Sequence, residues 1–313
     1  MDFKQITFPT MGTNLHLKIL HQNAVSLLQQ AKKILLDYNQ RYSTFINSSQ
    51  LQQINLNAGI KPVQVDQDLF DLIAYGREAS IQSKQTLNIA IGPLVKLWKI
   101  GFGANQIPDP QEIEQVLKLI NPQHIKMNSH TKEVYLEHPG MAIDLGALAK
   151  GYFADNLKKF FIENGVKSGF IDLGGNVLTI GGNPERSDSC WRIGIQDPQK
   201  PRGQLIAAVK IQDLSLVTSG IYERVFRTKK GELFHHILDS HTGYPVENQL
   251  ASVSILSPLS LKAEEWTTRL FYCSPQMALE IIEQTENIEG LIIDRHNNLY
   301  LSQGMKKITF LKK

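Results

Sequence analysis

Apolar and polar residues alternate through NLHLKIL at 14–20, which predicts a half-buried strand. The next segment, AVSLLQQAKKILLDYNQRYS, places Val25, Leu28, Ala31, Ile34, Leu35 and Tyr38 at helical spacing, so a packing helix follows the strand. SSQLQQIN opens with serines suited to capping a short helix, and DQDLFDLIAYGREASIQS reads as an amphipathic helix with an Asp-rich start. In IPDPQEIEQVLKLI, prolines precede the helical pattern and acids fill its first turn. From 133 the pattern shortens into strands: EVYLEH, MAIDLG, SGFIDLGGNVLTIGG, WRIGIQD, LIAAVKIQDLSLVTSG, FHHILDS, ASVSILSP and LIIDRHNNLYLSQGM. A helix over about 146–164 interrupts them, with Leu148, Ala149, Tyr152, Phe153, Leu157, Phe160 and Phe161 on its apolar side and Gly165 at its stop. A second helix is expected over about 261–285. Consecutive strands with interspersed helices, lacking strict βαβ alternation, predict an α+β fold with a mixed, largely antiparallel sheet and packed helices.

The chain has 313 residues, enough for one large domain or two fused ones. Its 33 basic and 30 acidic residues are spread along the sequence without a basic block, so no nucleic-acid partner is expected. Cys190 and Cys273 lie far apart and in no metal-spaced motif, which reads as two inert thiols. The start, MDFKQITFPTMGTNLHLKIL, has no apolar h-region, and no run of about 18 apolar residues occurs anywhere. The expectation is a soluble, unexported protein, with a periplasmic or membrane-anchored location as the alternative if a signal peptide has been removed.

Nucleotide signatures fail on spacing. GFGANQ at 101–106 has Gln106 where a third glycine belongs, and GALAKG lacks the ending of a phosphate loop. Gly174 and Gly175 interrupt a β run, marking either a hairpin turn or a close backbone approach to a ligand. Lys150 falls near a helix start, where backbone N–H groups and the dipole favour an anion; Asp144 is either its ion-pair partner or a second wall of a pocket. HHILDSHTGYP gathers His235, His236, Asp239 and His241, but on a strand His235 and His236 face opposite ways, which disfavours a shared metal. Asp239 then initiates a turn with Gly243 at its tight position. In KAEEWTTRLF, Glu264 and Thr268 are four apart and lie on one helix face. They could give oxygens to a hard cation such as Mg²⁺, or Glu264 could be an acidic helix start that satisfies the dipole.

Taken together, MGT at 11–13, STF with SQLQQIN at 43–55, IGPLVKLWKIG at 91–101, DLGALAKGYFAD at 144–155, DLGGN at 172–176, TSG at 218–220, HILDSHTGYPV at 236–246 and ASVSIL with AEEWTTRLF at 251–271 resemble the ApbE-type flavin transferases, FAD:protein FMN transferases. The resemblance covers nearly the whole chain. It implies a T-fold-like α+β architecture, with a single domain over 1–313 or two intertwined lobes within it. It also implies an enzyme that holds FAD with its pyrophosphate on Mg²⁺ and transfers FMN to a threonine or serine hydroxyl of a partner flavoprotein, releasing AMP. By the same resemblance Met11, Phe45, Thr86, Leu87, Asn88, Asp144, Lys150 and Leu238 contact FAD. The Ala147 carbonyl with Glu264, Thr267 and Thr268 holds the metal, and His236 and Asp239 orient or deprotonate the acceptor. Three positions depart from the family pattern: Glu264 and Asn88 stand where aspartate is usual, and Phe45 where tyrosine is. Family members are often exported and lipid-anchored, so membrane attachment is expected only through an anchor this sequence lacks. The alternatives carried forward are an Mg²⁺-dependent FAD pyrophosphatase and a non-catalytic flavin-binding protein.

Overall fold

A computed structural model describes residues 2–101, 103, 106–228 and 231–311. Positions 102, 104 and 105 of the GFGANQ segment therefore lie outside the described residues. In chain order the strands are β1 (Lys4–Thr10), β2 (Thr13–Ile19), β3 (Val63–Gln64), β4 (Ile125–Asn128), β5 (Glu133–Leu136), β6 (Gly169–Leu173), β7 (Asn176–Ile180), β8 (Trp191–Gln196), β9 (Leu205–Ile211), β10 (Ser215–Gly220), β11 (Val225–Arg227), β12 (Leu233–His235), β13 (Leu250–Ser257), β14 (Glu289–Asp294), β15 (Leu299–Leu301) and β16 (Thr309–Leu311). The α-helices are α1 (Ala24–Tyr42), α2 (Gln50–Leu56), α3 (Gln67–Gln82), α4 (Gly92–Trp98), α5 (Pro110–Leu117), α6 (Ala149–Glu163), α7 (Ser260–Arg269), α8 (Pro275–Gln284) and α9 (Gln303–Ile308).

The chain divides into two units, 1–37 with 150–220 and 248–313, and 38–149 with 221–247. In the first, strands run in the order β1-β2-β6-β7-β10-β13-β14-β15, and every neighbouring pair is antiparallel. A three-stranded sheet, β16-β9-β8, packs on one face. Val177, Leu216, Leu256, Leu291 and Ile293 of the large sheet meet Trp191, Ile193, Ile195, Val209 and Ile211 of the small one in an apolar core. Helix α7 lies against β10 and β13, and α8 against β14. β13 is buried along its whole length, LASVSILS, as befits a strand covered on both faces.

The second unit holds the β3-β5-β4 sheet and the β11–β12 hairpin. Its helices begin where the side chains can cap them. Ser49 accepts from Gln52 N–H ahead of α2, Asp66 accepts from Leu69 N–H ahead of α3, and Asp109 with Glu112 forms a capping box on α5. Leu94, Trp98, Ile113, Phe226 and Leu238 form a compact cluster, and the Trp98 indole N–H donates to the Gly243 carbonyl at 2.8 Å.

Several expectations need correction. MAIDLG is not a strand; its one pairing is an isolated parallel bridge between Ile91 and Ala142. The helix expected from 146 begins at Ala149. The helix expected over 261–285 is two helices, because Ser274 is held extended ahead of Pro275 and caps α8 through Met277 N–H. In FHHILDS the strand ends at His235. Val25, in the first turn of α1, is 64% exposed, and Leu27 takes the inward position instead.

Candidate functional site

In the first unit the N-termini of α6 and α7 meet backbone to backbone. A Cβ added to Gly151 would lie 2.7 Å from the Cα and N of Leu261 and from the Ser260 carbonyl, so only glycine permits this approach. Each helix then caps the other. Asp155 of α6 accepts from Ser260 N–H at 2.8 Å and Leu261 N–H at 2.9 Å, while Glu264 of α7 accepts from Gly151 N–H at 2.7 Å. Helix α7 has no side-chain cap of its own and no acid in its first turn, so the reading of Glu264 as a plain dipole-satisfying start does not hold. The other Glu264 oxygen is 3.5 Å from the Lys150 ammonium, with the glutamate side chain 5% exposed and the lysine 32%. Lys150 therefore pairs with Glu264. The cation that helps hold the Asp144 charge is Arg224, alongside the Gly146 N–H at 2.8 Å, against burial that raises the Asp144 pKa.

Burial pushes Asp155 up to about 6, opposed by its two backbone N–H bonds and by Lys158 and reinforced by the negative charge of Glu264. Thr267 is buried, donates to the Glu264 carbonyl and accepts from the Ser219 hydroxyl, both at 2.9 Å. Thr268 is half-buried on the same helix face.

Two hairpin turns stand side by side at one end of the large sheet, because β2 pairs with β6. Met11 and Gly12 form the two-residue β1–β2 turn, both left-handed at φ 53° and 72°. That conformation costs methionine about 1 kcal/mol, a strain more often met at functional positions than elsewhere. Gly174 and Gly175 (φ 73° and 94°) close the β6–β7 turn, and a Cβ on Gly174 would collide with Thr13 at 2.5 Å. Asp172 accepts from Gly175 N–H at 2.7 Å; burial raises its pKa, and Lys150 is among the charges that oppose the rise.

In the second unit Asn88 is 7% exposed and uses both ends of its amide, donating to the Ile120 carbonyl at 2.8 Å and accepting from Ala90 N–H at 2.9 Å. A carboxylate could not make the first bond, which gives this departure from the family aspartate a structural reason. The Thr86 hydroxyl donates to the Ser83 carbonyl, and Leu87 and Leu238 are core side chains. Phe45 is 70% exposed. His235 is buried with Nε2 at 3.0 Å from the Val246 carbonyl, and His236 is half-buried with Nδ1 at 3.3 Å from the Arg224 carbonyl, so the two do face apart. Asp239 anchors the following turn: its carboxylate accepts from His241 N–H at 2.8 Å, and Gly243 takes φ 79°.

Sequence reasoning missed Gly151, Asp155, Asp172 and Ser219. A glycine inside an otherwise regular helix was the one available signal, since such a residue usually marks close packing.

An antiparallel α+β scaffold on which a lysine and a buried carboxylate converge at a helix N-terminus, with threonine hydroxyls further along the helix that bears the carboxylate, defines a class of protein by its fold and its donor groups. Within that class the chain belongs to the ApbE family, whose profile matches residues 11–292. It is 37% identical to a FAD:protein FMN transferase of Klebsiella pneumoniae (strain 342), over 95% of this chain and 90% of that protein. It is 31% identical to the FAD:protein FMN transferase of Treponema pallidum (strain Nichols), over 91% and 79%. Among solved structures, the ApbE protein of Thermotoga maritima superposes with TM-score 0.89 at 24% identity, covering 98% of this chain and 99% of that one. The flavin transferase ApbE of Vibrio cholerae gives TM-score 0.84 at 23% identity with the same coverage. The fold is thus the ApbE fold, in its α+β, antiparallel form.

Proposed function

We propose that this chain is a FAD:protein FMN transferase, with residues 1–313 acting as one catalytic domain. Its curated relatives bear that name over most of their length. The observation that carries the reading to this chain's own residues is the α6 N-terminus, where Gly151 N–H and Lys150 converge on Glu264. As the third residue of α6, Gly151 has an N–H with no acceptor inside its own helix, and Glu264 supplies one.

The donor set fits Mg²⁺. Glu264, the Thr267 and Thr268 hydroxyls and the Ala147 carbonyl offer only oxygens, and the buried Glu264 carboxylate has one oxygen held by Gly151 N–H and the other facing the partly exposed Lys150 ammonium. Ala147 belongs to the second unit, and its assignment rests on the family resemblance. When bound, the metal would offset negative charge on the diphosphate. Lys150 would hold a diphosphate oxygen, and the left-handed Met11 turn would border the flavin. Phe45, with most of its ring exposed, offers a flat apolar face to isoalloxazine. Asp144, with Thr86, Leu87, Asn88 and Leu238, completes the FAD contacts in this reading. The acceptor hydroxyl oxygen bonds to the phosphorus of the FMN moiety, the bond from that phosphorus to the AMP oxygen breaks, and the acceptor proton passes to His236 or Asp239. Phe45 lacks the hydroxyl of the family tyrosine, so stacking is its whole contribution.

The test is incubation with FAD and Mg²⁺ in the presence and absence of a flavoprotein carrying a modifiable threonine. The expected result is covalent flavin on the acceptor together with AMP, and its sharp reduction in Glu264→Gln. Free FMN and AMP without labelled acceptor would establish a pyrophosphatase instead, and unchanged FAD a binding protein. Among the described residues no helix is long and apolar enough to cross a membrane.

A further inference from the structure

Outside the residues assigned to flavin transfer, the second unit brings two imidazoles and a carboxylate together. The side chain of Asn121 caps a short turn, Pro122–His124, that leads into β4. Glu137 N–H donates to the His124 carbonyl at 3.1 Å, which extends the β4–β5 ladder one pair beyond Ile125 and Leu136. His124 and Glu137 are therefore cross-strand neighbours, and their Nδ1 and Oε2 atoms are 2.7 Å apart. On a regular strand His138 would point to the opposite face. The chain instead bends at 137–138 into a turn closed by Met141 N–H on the His138 carbonyl, with Gly140 at φ 89°. The His138 ring thereby comes edge-on to His124, with centroids 4.5 Å apart and planes at 66°. One ligand atom from each residue lies within 4.8 Å of the others, and among the described residues this is the one such group of three or more.

We propose that His124, Glu137 and His138 bind a first-row divalent ion of the Zn²⁺ type. Two neutral imidazoles with one carboxylate suit Zn²⁺ and its neighbours, whereas Mg²⁺ prefers oxygen throughout. Zn²⁺ with bonds of about 2.0–2.1 Å holds tetrahedral donors roughly 3.3 Å apart. The 2.7 Å contact between His124 and Glu137 opens slightly to meet that spacing, and the exposed His138 side chain swings inward by rotation about its χ angles. With His124 and Glu137 each about one-third exposed (35% and 33%), the fourth position is open to water. Lys126 is the competitor: its ammonium is 3.4 Å from the same Glu137 oxygen, on a side chain 52% exposed, so a dication displaces it at little cost. Ligation would cross-link the start of β4 to the turn at Pro139 and Gly140.

The experiment uses the untagged full chain, stripped with a chelator and titrated with Zn²⁺ in millimolar Mg²⁺ by calorimetry. The expected result is a Zn²⁺ equivalent that is absent from His124→Ala and from His138→Ala, retained in Glu264→Gln, and bound several-fold more tightly by Lys126→Met. His138 is exposed, so its replacement leaves the fold intact. Parent-like Zn²⁺ binding by His138→Ala, or its loss in Glu264→Gln, overturns the site. Unchanged or weaker affinity in Lys126→Met overturns the place of Glu137 in it.

Discussion

Shortening Glu264 to aspartate keeps the charge and removes one methylene, which separates the effect of charge from the effect of reach. One C–C bond is about 1.5 Å. The Glu264 oxygen now 2.7 Å from Gly151 N–H would retreat to roughly 4 Å, outside hydrogen-bonding range, and the 3.5 Å approach to Lys150 would lengthen similarly. Helix α7 cannot follow the shorter arm, because Gly151 already touches the backbone of Ser260 and Leu261. A buried N–H is then left without its acceptor, at about 1–3 kcal/mol. The Lys150 contact adds little, since that ammonium is partly in water. Glu264→Gln is the informative partner. The amide carbonyl still reaches Gly151, so only the difference between a charged and a neutral acceptor is lost, about 1 kcal/mol. Urea and thermal unfolding of parent and both variants at pH 7 without Mg²⁺ should therefore rank Asp below Gln. The Asp midpoint should lie on the order of 2–4 °C beneath the parent's. If Glu264→Asp is as stable as the parent, or more stable than Glu264→Gln, the carboxylate does not cap α6 and the account of the junction is wrong.

Lys150→Ala should weaken FAD binding by about 1–3 kcal/mol, the scale of a charge-assisted hydrogen bond, read by quenching of flavin fluorescence; unchanged affinity would place the diphosphate elsewhere. Asp155 gives a pH signature. Its native pKa of about 6 lies above the usual carboxylate value of 3.8, so the folded state holds the proton more tightly. Its contribution to stability is full below pH 4 and is lost as pH rises through 6. Stability of the parent minus that of Asp155→Asn, from urea midpoints between pH 4 and 7, should fall across that window; a flat difference would mean the carboxyl is not desolvated.

What the sequence made legible was local. The starts of α2, α3 and α5 carry their own capping residues, Ser49, Asp66 and Asp109, and the structure begins those helices there. Helix α4, without a side-chain cap and only seven residues long, gave no comparable signal. The Ser274–Pro275 break was readable in principle, but helical spacing on either side masked it. MAIDLG has the composition of a strand, yet only an isolated bridge at Ala142 pairs it. The site divides in the same way. Glu264 and Thr268 were visible as one helix face, whereas the bond from Glu264 to Gly151 spans 113 positions, and the role of Asp155 depends on α7, 105 positions later. Pairings at that distance leave no trace in any window of the sequence.

The mutual capping of α6 and α7 also bears on how these helices breathe. The first amides of a helix have no internal acceptor and ordinarily exchange their protons with solvent early, because fraying costs little. Here the amides of Gly151, Ser260 and Leu261 are each held by a carboxylate from the other helix. Opening either end requires parting both helices, so these three amides should exchange with deuterium together, at rates typical of a helix middle. The same cross-capping should hold the start of α6, where Lys150 sits, against fraying.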